Sequence, residues 1–136
     1  MISAEAALTA QFYDLDPMQV VWHGNYPRFL ELGRCALLER IGYSYVEMRD
    51  SGYLWPIVDM RLKYIRPIVL DQHMRIEATL VEYENRLRVA YTIFDAVTGD
   101  VLTKASTIQL AVLAASGETC LECPPALTER VRRLLP

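Results

Sequence analysis

Hydrophobic and polar residues alternate along this chain with two different periods, and the change falls near Gly52. Before it, apolar or small residues recur at Tyr26, Leu30, Gly33, Leu37 and Ile41, with Phe29 and Ala36 widening the stripe. Steps of three and four place these positions on one face of a helix, with Arg28, Glu31, Arg34 and Glu39 falling mostly elsewhere. Asn25 is placed to cap the first amides, Pro27 is tolerated in the first turn and Gly42 is a natural stop. Ser44 and Glu47 make a capping-box pair, which predicts a second short helix ended by Gly52.

After Gly52 the period is two. Val58, Met60, Leu62 and Tyr64 alternate with Asp59, Arg61 and Lys63; Met74, Ile76, Ala78 and Leu80 with Arg75, Glu77 and Thr79; Leu87, Val89, Tyr91 and Ile93 with Arg88, Ala90 and Thr92. Each run predicts a strand with one buried face. Val101 to Leu113 is long and apolar enough for a central strand, Leu110 to Ala115 reads as buried strand, and Ala4 to Tyr13 supplies one more strand before the helix. Turn-like breaks fall at Arg66-Pro67, Glu84-Asn85 and Thr98-Gly99-Asp100, and Pro125 to Leu135 predicts a closing helix with Arg130, Arg132 and Arg133 exposed. Short connections demand antiparallel neighbours, so the order of strand, helix and four strands predicts an α+β fold with the long helix on the sheet's apolar face. No repeat or linker divides residues 1–136, which read as a single domain.

Composition narrows the function classes. Of 136 residues, 52% are hydrophobic and 23% charged, a globular balance. Fourteen Lys and Arg against seventeen Asp and Glu leave a formal charge of −3, which argues against a nucleic-acid partner. No apolar run approaches the roughly 18–20 residues of a bilayer span. The first ten residues carry Glu5 and no Lys or Arg, unlike a signal peptide, so the expected location is the cytoplasm. Three cysteines, an odd number, argue against a disulfide framework. Cys120-Leu-Glu-Cys123 has a redox or metal spacing, but His23 and His73 lie far off and Pro124-Pro125 follow at once, so incidental loop thiols and no metal site are expected. Cys35 is expected in the core, His73 on the surface, and Trp22 and Trp55 in packing roles, with Trp22 placed to border a pocket.

The segment from Asp14 to Tyr26 gathers Asp14, Asp16, His23, Gly24 and Asn25 directly before a helix start. Exposed amides there attract negative charge, including charge that develops on a carbonyl oxygen under attack. A nearby carboxylate can attack that carbonyl or activate water. The segment is therefore a candidate acyl-transfer site, set against a plainer reading in which Asp before proline makes a turn and the histidine is structural.

Asp16-Pro-Met-Gln-Val-Val-Trp-His23-Gly-Asn25-Tyr26, followed by Arg28-Phe29-Leu30-Glu31, resembles the N-terminal signature of hotdog-fold acyl-CoA thioesterases of the 4-hydroxybenzoyl-CoA thioesterase-like group, including those of the Tol–Pal cluster. The resemblance runs from Gln11 to about Leu113 and includes the strand from Val58 to Arg66-Pro67. It implies a five-stranded antiparallel sheet wrapped around one long central helix. It implies that Asp16 is the catalytic carboxylate, nucleophile or general base, rather than Asp14; that His23 lines the thioester; and that backbone amides of His23, Gly24 and Asn25 form the oxyanion site. It further implies hydrolysis of an acyl-CoA or acyl-carrier-protein thioester without cofactor, in a homodimer or dimer of dimers whose sites use both chains. The strands at Met74–Leu80 and Leu87–Ile93 are expected to support that pairing. Arg61, Lys63, Arg66, Arg86 and Arg88 are the candidates for CoA phosphates, but the turn at residues 114–120 carries no Lys or Arg, which leaves the carrier open. A hotdog dehydratase acting on a 3-hydroxyacyl thioester and a non-catalytic thioester-binding subunit are the competing readings.

Overall fold

The computed structural model describes residues 1–136. Strand β1 (Ser3–Thr9) precedes helix α1 (Tyr26–Ile41) and short helix α2 (Tyr45–Asp50). Then follow β2 (Tyr53–Leu54), β3 (Ile57–Tyr64), β4 (His73–Glu82), β5 (Leu87–Asp95), β6 (Val101–Gln109), β7 (Val112–Leu113) and α3 (Pro125–Arg132). The main sheet is antiparallel throughout, in the order β1-β4-β5-β6-β3, and β2 pairs with β7 in a separate ribbon.

The period-two runs become β3, β4 and β5, and the burial of β4 and β5 alternates as their sequence predicts. Met74, Ile76, Ala78, Leu80, Leu87, Val89, Tyr91 and Ile93 are buried on one face, against which α1 sets Phe29, Leu30, Leu37 and Leu38. The helix lies mainly over β1 and β4 and ends at Gly42, whose φ of 83° is the left-handed conformation that glycine adopts without strain. Gly33 lets the helix approach: a Cβ there would sit 2.8 Å from Ile76 Cγ2 and 3.5 Å from Ala78 Cβ. Gly33→Ala is therefore expected to lower stability by about 1–3 kcal/mol through overpacking, although alanine is the better helix former. Chemical denaturation checks it.

Several expectations are corrected. The first strand stops at Thr9, because the Asp14 carboxylate accepts the Gln11 amide and winds Phe12–Asp14 into a 3-10 turn. The last long strand stops at Gln109; the stretch from Leu110 to Ala115 is not buried strand but leaves the sheet, with only Val112–Leu113 pairing, to β2. β3 does not neighbour β4: residues 65–72 carry the chain across the sheet end and leave β3 at the far edge beside β6. A bulge between Ile57 and Asp59 and this edge position leave Val58 and Tyr64 exposed rather than buried. β4 and β5 are interior strands with both edges already paired, so they cannot join a second copy edge to edge. Arg34 is buried, its guanidinium bonded to Tyr45 and Glu31, and Cys35 is only half-buried. Arg130 is not free on the surface: it donates to the Gly42 carbonyl and lies 5.1 Å from the Tyr43 ring centroid, tying α3 to the end of α1.

Candidate active site

The loop between β1 and α1 is built around Asp14. Its side chain is buried, accepts the Gln11 amide at 2.9 Å and pairs with Arg28, while its carbonyl accepts from the Trp22 amide at 3.0 Å and Asn25 Nδ2 at 2.8 Å. Asn25 thus ties the loop and does not cap α1 with its side chain, as its place in the sequence had suggested. Asp14 is a structural anchor. Arg28→Ala leaves its carboxylate buried with one partner fewer and is expected to cost about 1–3 kcal/mol, readable as a lowered melting temperature.

Asp16 stands two residues on, in a turn closed by its amide to the Val20 carbonyl and by the Gln19 amide to its own carbonyl, both at 2.9 Å. Its Oδ1 accepts the Met18 amide at 2.8 Å, and its Oδ2 has no protein partner. The bridge between Leu15 and Val21 returns the chain toward the helix, so Asp16 and His23 line one cavity of about 260 Å³. Tyr26, Tyr64, Arg66 and Pro67 are among its other walls. The strand end at Tyr64 and the Arg66-Pro67 turn after it, read from the sequence as a strand and a break with Arg66 a candidate for CoA phosphate, therefore line the same cavity.

His23 to Asn25 form a single 3-10 turn feeding α1. The amides of Asn25 and Tyr26 close it onto the Trp22 and His23 carbonyls, which leaves those of His23 and Gly24 without an acceptor inside the turn. Of the three amides expected at the oxyanion site, that of Asn25 is thus already engaged. A Cβ on Gly24 would sit 2.4 Å from the far edge of the Trp22 indole, so a larger residue there would have to push that ring aside. Trp22 is half-exposed and leans on the His23 ring at a centroid distance of 5.3 Å, whereas Trp55 is buried and donates to the Tyr43 hydroxyl. Burial, and next the Tyr64 phenol, push the Tyr26 phenol above its ordinary value, so it stays neutral at physiological pH.

Of the basic candidates, Arg66 alone borders this cavity, and it is paired with Asp100 at 3.3 Å. Arg61 and Arg86 pair with Asp59 and Glu82, and Lys63 faces Lys104 across the strands. His73 is exposed at the start of β4, 2.8 Å from the Thr9 hydroxyl. Cys120 and Cys123 line a different cavity of about 480 Å³, in which burial, then Glu82 and Cys120, push the Cys123 thiol up to about 12. A neutral thiol is a poor nucleophile. No group of three or more His, Cys, Asp and Glu is arranged to hold a metal, and no helix is long and apolar enough to cross a membrane.

Residues 10–131 match the family model of the thioesterase-like superfamily. A Bacillus subtilis (strain 168) protein named "Putative acyl-CoA thioesterase YneP" is 27% identical over 106 residues, 77% of this chain and 76% of its own. Among solved structures, the DHNA-CoA thioesterase from Staphylococcus aureus superposes with a TM-score of 0.88 at 23% identity, covering 98% of this chain and 91% of its own. Slr0204, a 1,4-dihydroxy-2-naphthoyl-CoA thioesterase from Synechocystis, superposes at 0.85 with 15% identity and 97% of each chain covered. At these identities the structures show the fold, which is the hotdog arrangement of sheet and helix.

Proposed function

This chain belongs to the thioesterase-like superfamily, and on that premise we propose that this thioester hydrolase works through Asp16, in the cavity that Asp16 shares with His23 at the start of α1. That convergence is the observation that carries the reading. Asp16 Oδ2 either takes the proton from a water that attacks the acyl carbonyl carbon, or attacks that carbon itself to form an anhydride that water then opens. In both routes the carbonyl oxygen becomes an oxyanion, met by the His23 and Gly24 amides, and collapse breaks the C–S bond. The thiolate leaves and takes a proton, with His23 placed to orient the thioester or assist that transfer. Thiolate is a good leaving group, and the scheme asks for no cofactor.

The substrate we propose is an acyl-CoA or acyl-carrier-protein thioester, met in the cytoplasm. The assembly we propose is a homodimer, paired again into a dimer of dimers. β3 supplies the pairing edge, since it exposes Val58 and Tyr64, whereas β1 exposes no large apolar side chain. The same edge ends at Tyr64 in the cavity wall, so pairing there brings a second chain to the site. A 3-hydroxyacyl thioester separates hydrolase from dehydratase: free thiol and hydroxy acid are expected, and enoyl absorbance without thiol release would reverse the assignment.

A further inference from the structure

We infer that Tyr64 is a positioning residue for the oxyanion turn, an inference that rests on the hydrolase reading above. The His23 carbonyl accepts twice: from the Tyr26 amide, which closes the 3-10 turn, and from the Tyr64 hydroxyl at 3.2 Å. The second bond joins elements far apart in the chain, the last residue of β3 and the turn before α1. Tyr64 is itself held, because its ring packs edge-on against Tyr26 at a centroid distance of 4.6 Å and an angle of 87°. Tyr26 is buried at the first position of α1, so the phenol is referenced to the helix rather than left as a loose surface ring.

The accepting carbonyl belongs to the same peptide unit as the Gly24 amide. In a trans peptide the C=O and N–H point in opposite directions, so fixing the carbonyl fixes the direction of the amide. Donors on the carbonyl also polarise the unit and strengthen its N–H as a donor. That amide has no acceptor inside the turn. Tyr64 thus aims and strengthens a donor through the peptide unit it holds, and its effect belongs to the step in which negative charge develops on oxygen. Binding of the neutral thioester gains little from it.

Tyr64→Phe keeps the ring and removes only the hydroxyl. At saturating thioester its kcat is expected to fall about 3- to 10-fold, the loss expected of one modest hydrogen bond. KM should stay within about twofold of the parent, with the melting temperature and the shape of the pH–rate profile unchanged. Tyr64→Leu, which also removes the packing on Tyr26, should lose stability as well. An unchanged kcat in Tyr64→Phe, beside an inactive Asp16→Asn, would overturn this inference and leave the hydrolase reading standing. A kcat loss that came with a lowered melting temperature would equally overturn it, by making the hydroxyl a structural tie. Absence of thiol release by the wild-type protein would remove the hydrolase reading and this inference with it.

Discussion

Asp16→Asn is expected to fold like the parent and to lose about 10²–10⁴-fold in kcat. The fold should survive because the carboxylate makes one protein hydrogen bond, from the Met18 amide to Oδ1, which an asparagine oxygen can accept equally well. The activity should not, because an amide can neither attack a carbonyl nor take a proton from water at neutral pH. Asp14 is the internal control: its carboxylate serves Gln11 and Arg28, so its replacement should lower stability first. His23→Ala should cost less than Asp16→Asn, since the oxyanion donors are backbone. Equal losses would move His23 into the proton transfer. Stopped assays of thiol release, with melting curves on the same preparations, decide both comparisons.

Dilution to monomers is expected to abolish turnover. A 15.6 kDa chain in which β3 pairs only with β6 leaves on its outer side a row of open amides and carbonyls flanked by Val58 and Tyr64, an edge that isolated domains rarely leave bare. Sedimentation at assay concentration should show a dimer or a dimer of dimers. Activity should follow the associated fraction down the dilution series. Val58→Asp, which sets a charge on that edge outside the cavity walls, should shift the series toward monomer and reduce activity in parallel. A monomer that hydrolyses thioesters at the undiluted rate would contradict the shared site.

The elements that were legible in the sequence are those whose neighbours in space are set by period. β4 and β5 each bury one face under α1, and a period of two says so without further context. The residues alone marked Asp14 to Tyr26 as a candidate site, because carboxylates and a histidine precede a helix start; the choice of Asp16 over Asp14 came from the resemblance, and the fold places Asp16 and His23 on one cavity. β3 was misread because its exposure depends on being an edge strand with a bulge, which no local pattern encodes. Asn25 and Arg34 were misread for a related reason. A capping residue type, whose oxygen was expected to accept helix amides, instead donates its Nδ2 to the Asp14 carbonyl, and an arginine on the flank of a helix found Glu31 and Tyr45 near enough to be buried. Tyr64 escaped notice as a site residue because its partner, the His23 carbonyl, is backbone and lies 41 residues away.

The most direct test of the central claim is free-thiol release by the wild-type protein across a panel of aryl, short branched and long-chain thioesters, each offered on CoA and on a carrier protein. The account predicts turnover of at least one of them, with one free acid formed for each thiol released and with the rate carried by Asp16. No release above the spontaneous rate from any thioester on either carrier, by a folded and associated protein, would contradict it.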